Sequence, residues 1–181
     1  DGPLDMRLDN SNGITVSDWI NKADKKEIMD VLYTFGDEKH GKLISEAIIS
    51  HREKYLIDTT SKLAKIIEEI YPDKKTKIHP ATKSFQALRI FINNELDEFR
   101  KSLQSAKKII KTNGIIVTIA FHSLEDNIIK NFFKPSIKSF PKDIPLNNEQ
   151  ESFFDCIANK KRPYDFEINN KPIILNFKLR R

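Results

Sequence analysis

The chain has 181 residues, a formal net charge of +5, and 39% hydrophobic against 31% charged residues, which suits one domain or a domain with a small subdomain and a substantial core. No apolar run reaches the roughly 20 residues of a membrane span, and the opening Asp1-Gly-Pro-Leu-Asp5 has neither the basic nor the apolar region of a signal peptide, so no membrane partner is expected. The single cysteine, Cys156, cannot form an internal disulfide, which fits a reducing cytoplasm, and four scattered histidines without a cysteine pair give no reason to expect a metal.

Residues 1 to 14 carry turn signals, Gly2-Pro3 and Asp9-Asn-Ser-Asn-Gly13, and are expected to form a loop. Short amphipathic helices follow. Ser17 or Asp18 is expected to cap a brief one holding Trp19 and Ile20. Asp24 and Glu27 have capping-box spacing ahead of Ile28, Val31 and Leu32, and Gly36 closes that helix. A third runs from about His40 to Arg52 with Leu43, Ile44, Ala47 and Ile48 on one face. A fourth starts near Thr59-Thr60 and carries Leu63, Ile66, Ile67 and Ile70 up to Pro72. Their shared core is expected around Trp19, Leu32, Ile44, Ile48 and Ile66.

A basic linker over 73–80 ends in His79-Pro80. The stripe Phe85, Leu88, Ile92, Leu96, Phe99, Leu103, Ala106 and Ile110 advances by three or four, which predicts one long helix over about 81–111, stopped by Asn113-Gly114. Ile115 to Phe121 is an unbroken, β-branched apolar run and reads as a strand buried on both faces, as in a parallel sheet. A helix beginning at Ser123-Leu-Glu-Asp126 buries Ile128, Ile129, Phe132 and Phe133. Helix, strand and helix in this order signal an α/β fold. Residues 134 to 150, with three prolines, read as an irregular loop. Two late strands, near Phe153–Ala158 and over Ile173–Leu179, are expected to pair antiparallel at the sheet edge.

Three segments hold more function-type residues than packing requires. The first, Asp1 to Asp9, sets acids and Arg7 in a turn; a solvated loop explains it equally well. In the second, His79 to Asn93, the residues Gln86, Arg89 and Asn93 share one helical stripe whose amides and guanidinium suit a base edge or a phosphate. Thr82 serves there as a cap or a ligand, and a plain amphipathic helix accounts for much of the pattern. In the third, His122 and Ser123 fall where the strand ends and a helix begins, the place where open α/β sheets bind ligands. A Ser123–Asp126 capping box accounts for the serine and the acids there but not for His122. The excess of Lys, Ile and Asn reads first as compositional drift of an AT-rich genome, and the positive charge is compatible with an RNA partner.

Taken in order, Asp1-Gly-Pro-Leu-Asp-Met-Arg7, Phe35-Gly-Asp-Glu-Lys39, His79-Pro-Ala-Thr-Lys-Ser-Phe-Gln-Ala-Leu-Arg89 with Asn93 and Glu95-Leu96, and Phe121-His-Ser-Leu-Glu-Asp126 resemble the bacterial 16S ribosomal RNA cytosine-N4 methyltransferases. The resemblance spans about 1–134 and resumes weakly at the end. It implies the C-terminal part of a Rossmann-like class I methyltransferase sheet with an inserted helical substrate-recognition subdomain. Residues 1–14 would be a loop of the methyltransferase domain, 15–72 the insert, and 73–181 the returning half of the sheet. It implies S-adenosyl-L-methionine as cofactor and the 16S rRNA of the small ribosomal subunit as partner. The main cofactor motifs are expected before Asp1, since the five glycines here form no Gly-x-Gly cluster.

Within that resemblance, His122, Ser123 and Asn93 are the catalytic candidates. Arg7, Thr82, Lys83, Gln86 and Arg89 are the substrate or RNA contacts. The chain departs from the family's pattern where Lys83 and Asn127 stand in place of arginines and where aliphatic residues replace two arginines in Lys171-Pro-Ile-Ile-Leu-Asn-Phe-Lys-Leu-Arg180. The rival reading is a non-enzymatic helical module that binds RNA or protein.

Overall fold

A computed structural model describes residues 1–71 and 78–133, together with the backbone of strands 154–161 and 173–179. The chain divides into two compact units, Asp1–Glu95 and Leu96–Arg181.

The first unit holds α1 (Val16–Ile20), α2 (Lys25–Gly36), α3 (Gly41–Arg52), α4 (Thr60–Glu68) and α5 (Thr82–Ile92). Local chemistry sets their starts. Asp24 and Glu27 cap α2 reciprocally as the spacing predicts, and the Thr59 hydroxyl caps α4. The cap of α1 differs from expectation. Thr15, not Ser17 or Asp18, is the N-cap, with Asp18 closing the box as its third residue. Ser17 instead donates to the Ile57 carbonyl, 2.9 Å away. Helix α2 ends through Asp37 in the left-handed region, φ 47°, a conformation aspartate tolerates better than most residues.

Helix α2 packs on both α3 and α5, and α3 packs on α4. All five expected core residues, Trp19, Leu32, Ile44, Ile48 and Ile66, are buried. They sit in one cluster with Leu4, Ile28, Ile57, Leu63, Ile67 and Leu88. Leu43 is the exception on its predicted face, since it lies 49% exposed. The closest approach is at Gly36. A Cβ there would stand 2.7 Å from the Lys83 carbonyl oxygen and 3.1 Å from the Ala87 methyl, so only hydrogen fits between α2 and α5. The opening loop is tied into the same unit: Leu4, 1% exposed, donates its N–H to the Asp58 carbonyl and accepts from the Ser17 N–H.

The long helix predicted over 81–111 is two helices, α5 and α6 (Glu95–Ile109), broken at Asn94, φ 50°. The apolar stripe hid the break because Ile92 to Leu96 is a step of four, which keeps phase across it. The second unit continues from α6 through β1 (Ile115–Ala120), α7 (Ser123–Phe133), β2 (Phe154–Lys161) and β3 (Ile173–Leu179). Leu103, Ala120, Ile128, Ile129 and Phe133 form its buried cluster.

Strand order is β1-β3-β2 and both pairings are antiparallel. The late strands pair as expected, with β3 central and β2 outermost. Reading β1 as a parallel strand buried on both faces is corrected: it pairs antiparallel with β3, from Ile115 opposite Lys178 to Ala120 opposite Ile173. Its side chains alternate. Thr118 and Ala120 are buried, while Ile115, Val117 and Ile119 are 50–60% exposed. The predicted loop over 134–150 and most of the basic linker lie outside the described residues.

Candidate functional site

In the first unit the opening loop and the end of α5 are held together by Asn93, the C-cap of that helix. Its amide nitrogen donates to the Met6 carbonyl at 2.8 Å and to the Arg89 carbonyl at 2.9 Å. Its amide oxygen accepts from the Leu8 N–H at 2.7 Å. Met6, the first of these loop anchors, has φ 63°, an unfavourable conformation for a long side chain, so the clamp holds a strained turn in place. Arg7 stabilises the same loop. Its guanidinium grips Asp5 through Nε at 2.7 Å and Nη2 at 2.9 Å, and Nη1 donates to the carbonyls of Asn12 and Gly13. That side-chain hydrogen bond holds the Asp5 carboxyl below the ordinary carboxylate range.

Thr82, Lys83, Gln86 and Arg89 project from α5 and differ in what they already bind. Arg89 pairs with Glu95 through Nε at 2.7 Å and Nη2 at 3.1 Å. Lys83 donates to the Asp37 carbonyl at 2.9 Å. The Thr82 hydroxyl and the Gln86 amide have no hydrogen-bond partner among the described residues. Thr82 lines a cavity of about 290 Å³ with Asp1, Thr60, Ser61, His79 and Phe85. The structure therefore brings the first motif, through Asp1, against the second, through His79 and Thr82. Thr82 does not cap its helix: the N-cap is Ala81, without a side-chain bond.

In the second unit, His122 and Ser123 stand where β1 ends and α7 begins. Sequence spacing assigned the cap to Ser123. In the structure His122 precedes the helix, accepts the Asp126 N–H on its carbonyl at 3.2 Å, and accepts the Glu125 N–H on Nδ1 at 3.4 Å. Glu125 turns back to accept the Phe121 N–H at 2.8 Å. His122 thus does the capping work that seemed to leave it unexplained. Its other ring nitrogen, Nε2, is buried without a hydrogen bond, 3.5 Å from a Glu125 carboxylate oxygen. The Ser123 hydroxyl has no hydrogen-bond partner among the described residues. Asp126, 6% exposed, pairs with Lys130 through one oxygen and leaves the other buried and unbonded.

Sequence reasoning gave no role to two features of the structure. Glu38, in the Phe35–Lys39 motif, is 1% exposed and hydrogen-bonded. A charged residue at a helix end gives no outward sign of burial; the signal was its place in a motif otherwise made for a turn. Between α6 and α7 lies a groove of about 330 Å³, lined in part by Arg100, Gln104, Asn127 and Asn131. Asn127, where an arginine was expected, is one of its walls. Among the described residues no helix is long and apolar enough to cross a membrane, and no cluster of His, Cys, Asp and Glu is arranged to hold a metal.

The sequence model described as the MraW methylase family matches residues 1–180. Curated relatives agree. The chain is 42% identical over 175 residues to "Ribosomal RNA small subunit methyltransferase H" of Rickettsia conorii, covering 93% of this chain and 56% of that protein. To the protein of the same name from Rickettsia bellii it is 43% identical over 177 residues, covering 93% and 57%. To that of Rickettsia felis it is 48% identical over 134 residues, covering 74% and 44%. The chain thus spans about half the length of the curated relatives it matches. With a family match running from the first motif to the last strand, this chain belongs to the MraW methylase family.

Proposed function

We propose that this chain is the substrate-side portion of an S-adenosyl-L-methionine-dependent methyltransferase that modifies the N4 amine of a cytosine in 16S rRNA of the small ribosomal subunit. The observation that carries the reading is the family match over 1–180 together with relatives named for methylation of small-subunit ribosomal RNA. On this reading residues 15–72 are the inserted recognition subdomain, and β1-β3-β2 is the returning edge of a Rossmann-like sheet.

The cytosine amine is a weak nucleophile because its lone pair is delocalised into the ring. Transfer needs in-line positioning and an acceptor for the released proton, and the base must leave its stack. Among the described residues, Thr82 and Gln86 in the first unit and Ser123 in the second have side chains without a hydrogen-bond partner, and each is a candidate to bond a base edge. His122 orients the base by donating from Nε2–H, while its Nδ1, which accepts the Glu125 N–H, fixes the ring against α7; taking up the cytosine proton requires Nδ1 to release that bond. Lys83 and Arg89 meet phosphate at the expense of their present partners, the exposed Asp37 and the largely covered Glu95. Arg7 and Asn93 act through the loop they hold rigid.

S-adenosyl-L-methionine supplies an activated methyl group when bound, but the described residues do not form its cradle. Gly36 and Gly114 make room for neighbouring parts of the chain itself, and Gly2 and Gly13 face open space. The test is methyl transfer to small ribosomal subunits by the protein carrying this chain, read by nucleoside mass analysis. N4-methylcytidine at one position supports the reading. A different modified nucleoside, or binding to subunits without transfer, overturns it in favour of another amine substrate or a binding module.

A further inference from the structure

Glu38 is 1% exposed and lies where three segments of the first unit meet. Its Oε1 accepts the Tyr71 hydroxyl at 2.5 Å and the His40 N–H at 3.1 Å, and its Oε2 faces the Ser84 hydroxyl at 3.5 Å. Tyr71 follows α4, His40 is the N-cap of α3, and Ser84, fully buried, is in the first turn of α5. The His40 ring stands edge-on to Tyr71 with centroids 4.9 Å apart. The preceding residues reach the same turn of α5: Asp37 accepts the Lys83 ammonium on its carbonyl, and Gly36 lies against the Lys83 carbonyl.

Burying a carboxylate is unfavourable, and apolar side chains of similar volume commonly serve stability as well or better. What a carboxylate adds is direction. It accepts only, and each bond it accepts fixes a donor to within a few tenths of an ångström. Helices packed through aliphatic side chains slide more readily than helices that share hydrogen bonds to one buried acid.

We propose that Glu38 is a positioning residue: it latches the first turn of α5 to α4 and the α2–α3 turn, and so sets the height and rotation at which Thr82, Lys83 and Gln86 meet the RNA. The proposal rests on the RNA-methyltransferase reading for its functional half, and the latch itself is measured independently of that reading.

Three variants test it: Glu38→Ala, Glu38→Gln and Tyr71→Phe. In the 181-residue chain, amide hydrogen exchange reads the latch. Glu38→Ala is expected to speed exchange of Leu88 and neighbouring α5 amides about tenfold or more relative to those of α7, and Glu38→Gln, which keeps an acceptor, by about threefold or less. In the protein carrying this chain, methyl transfer reads the function. Glu38→Ala is expected to raise KM for small subunits about tenfold with kcat within about twofold, and Glu38→Gln to restore most of it. Should Glu38→Ala fail to fold, Tyr71→Phe carries the same expectations at a smaller size. Unchanged α5 exchange in Tyr71→Phe and Glu38→Gln, with Glu38→Ala also unchanged or unfolded, overturns the latch. A lower melting temperature with unchanged KM overturns its role in recognition and leaves Glu38 purely structural. Absence of transfer by the wild-type protein overturns the methyltransferase reading alone, and the exchange data still decide the latch.

Discussion

Trp19 lays its ring 4.6 Å from Phe91 and is 9% exposed, so the first unit depends on one large side chain from its shortest helix. Trp19→Ala is expected to cost about 3–5 kcal/mol in urea unfolding, the loss of a buried indole plus the cavity left behind. A change under about 0.5 kcal/mol, the range of ordinary surface substitutions, contradicts that packing. The burial of Trp19 was legible because it follows from an apolar period that tertiary contacts only reinforce. Tyr71 was not legible, since its environment is set by Glu38, 33 residues away in the chain. Burial first, and the hydrogen bond to Glu38 second, push the Tyr71 hydroxyl well above the ordinary tyrosine range. The native state therefore keeps a proton that the unfolded chain loses above about pH 10. Stability contributed by this group is complete below that pH and falls as pH rises beyond it. Tyr71→Phe is expected to flatten the alkaline limb of a stability–pH profile, and an identical slope in the variant contradicts the assignment.

At the scale of elements, local capping chemistry was readable where a side chain reaches its own helix. Asp24 with Glu27 and the Thr59–Thr60 start needed nothing else. Caps that depend on which residue the preceding strand or loop delivers were not. Thr15 replaced Ser17 and Asp18 because Ser17 is drawn to Ile57, and His122 replaced Ser123 because β1 ends at Ala120, two residues before His122. That double duty of His122 separates two roles by mutation. His122→Asn keeps a short acceptor at the cap and is expected to leave the melting temperature nearly unchanged, whereas His122→Ala costs about 1 kcal/mol. If the imidazole serves the proposed chemistry, both lower methyl transfer about 100-fold or more. Full activity in His122→Asn moves the chemical role to Ser123. The α5–α6 break gives a second test. Asn94, exposed at φ 50°, occupies a conformation that glycine favours and alanine resists. Asn94→Ala is expected to destabilise by about 1 kcal/mol and Asn94→Gly to be neutral or stabilising in urea unfolding. Equal stabilities in the two variants contradict the left-handed break.

At the scale of the molecule, the described residues of the first unit's apolar cluster fall within Leu4–Ile92 and those of the second within Leu96–Phe133. Amphipathic period made both clusters legible, but not where one ends: the stripe ran through Asn93-Asn94 without changing phase. The strand-forming character of 115–120 was legible from its β-branched run, but its direction was not, because the antiparallel partner β3 arrives more than fifty residues later. The candidate site was legible as residue types and only partly as roles. Spacing placed Gln86, Arg89 and Asn93 on one stripe, yet two of the three are bonded within the fold. With no glycine-lined cradle among the described residues, the 181-residue chain is expected to bind S-adenosyl-L-methionine weakly or not at all. Titration calorimetry checks this, and a micromolar dissociation constant contradicts it.

The tight crossing at Gly36 bears on how this sequence can evolve. The chain is rich in lysine, isoleucine and asparagine, the composition that codon drift toward A and T produces, and such drift exchanges glycine wherever the exchange is harmless. Gly2, with open space around its Cβ position, offers little resistance to such traffic. At Gly36 a single added methyl group would stand 2.7 Å from backbone that cannot rotate away, so even serine or alanine there forces α2 and α5 apart. Mutational pressure and helix separation thus oppose each other at one atom. Among variants of this chain, Gly36 should stay invariant long after the exposed faces of α2 and α5 have turned over completely.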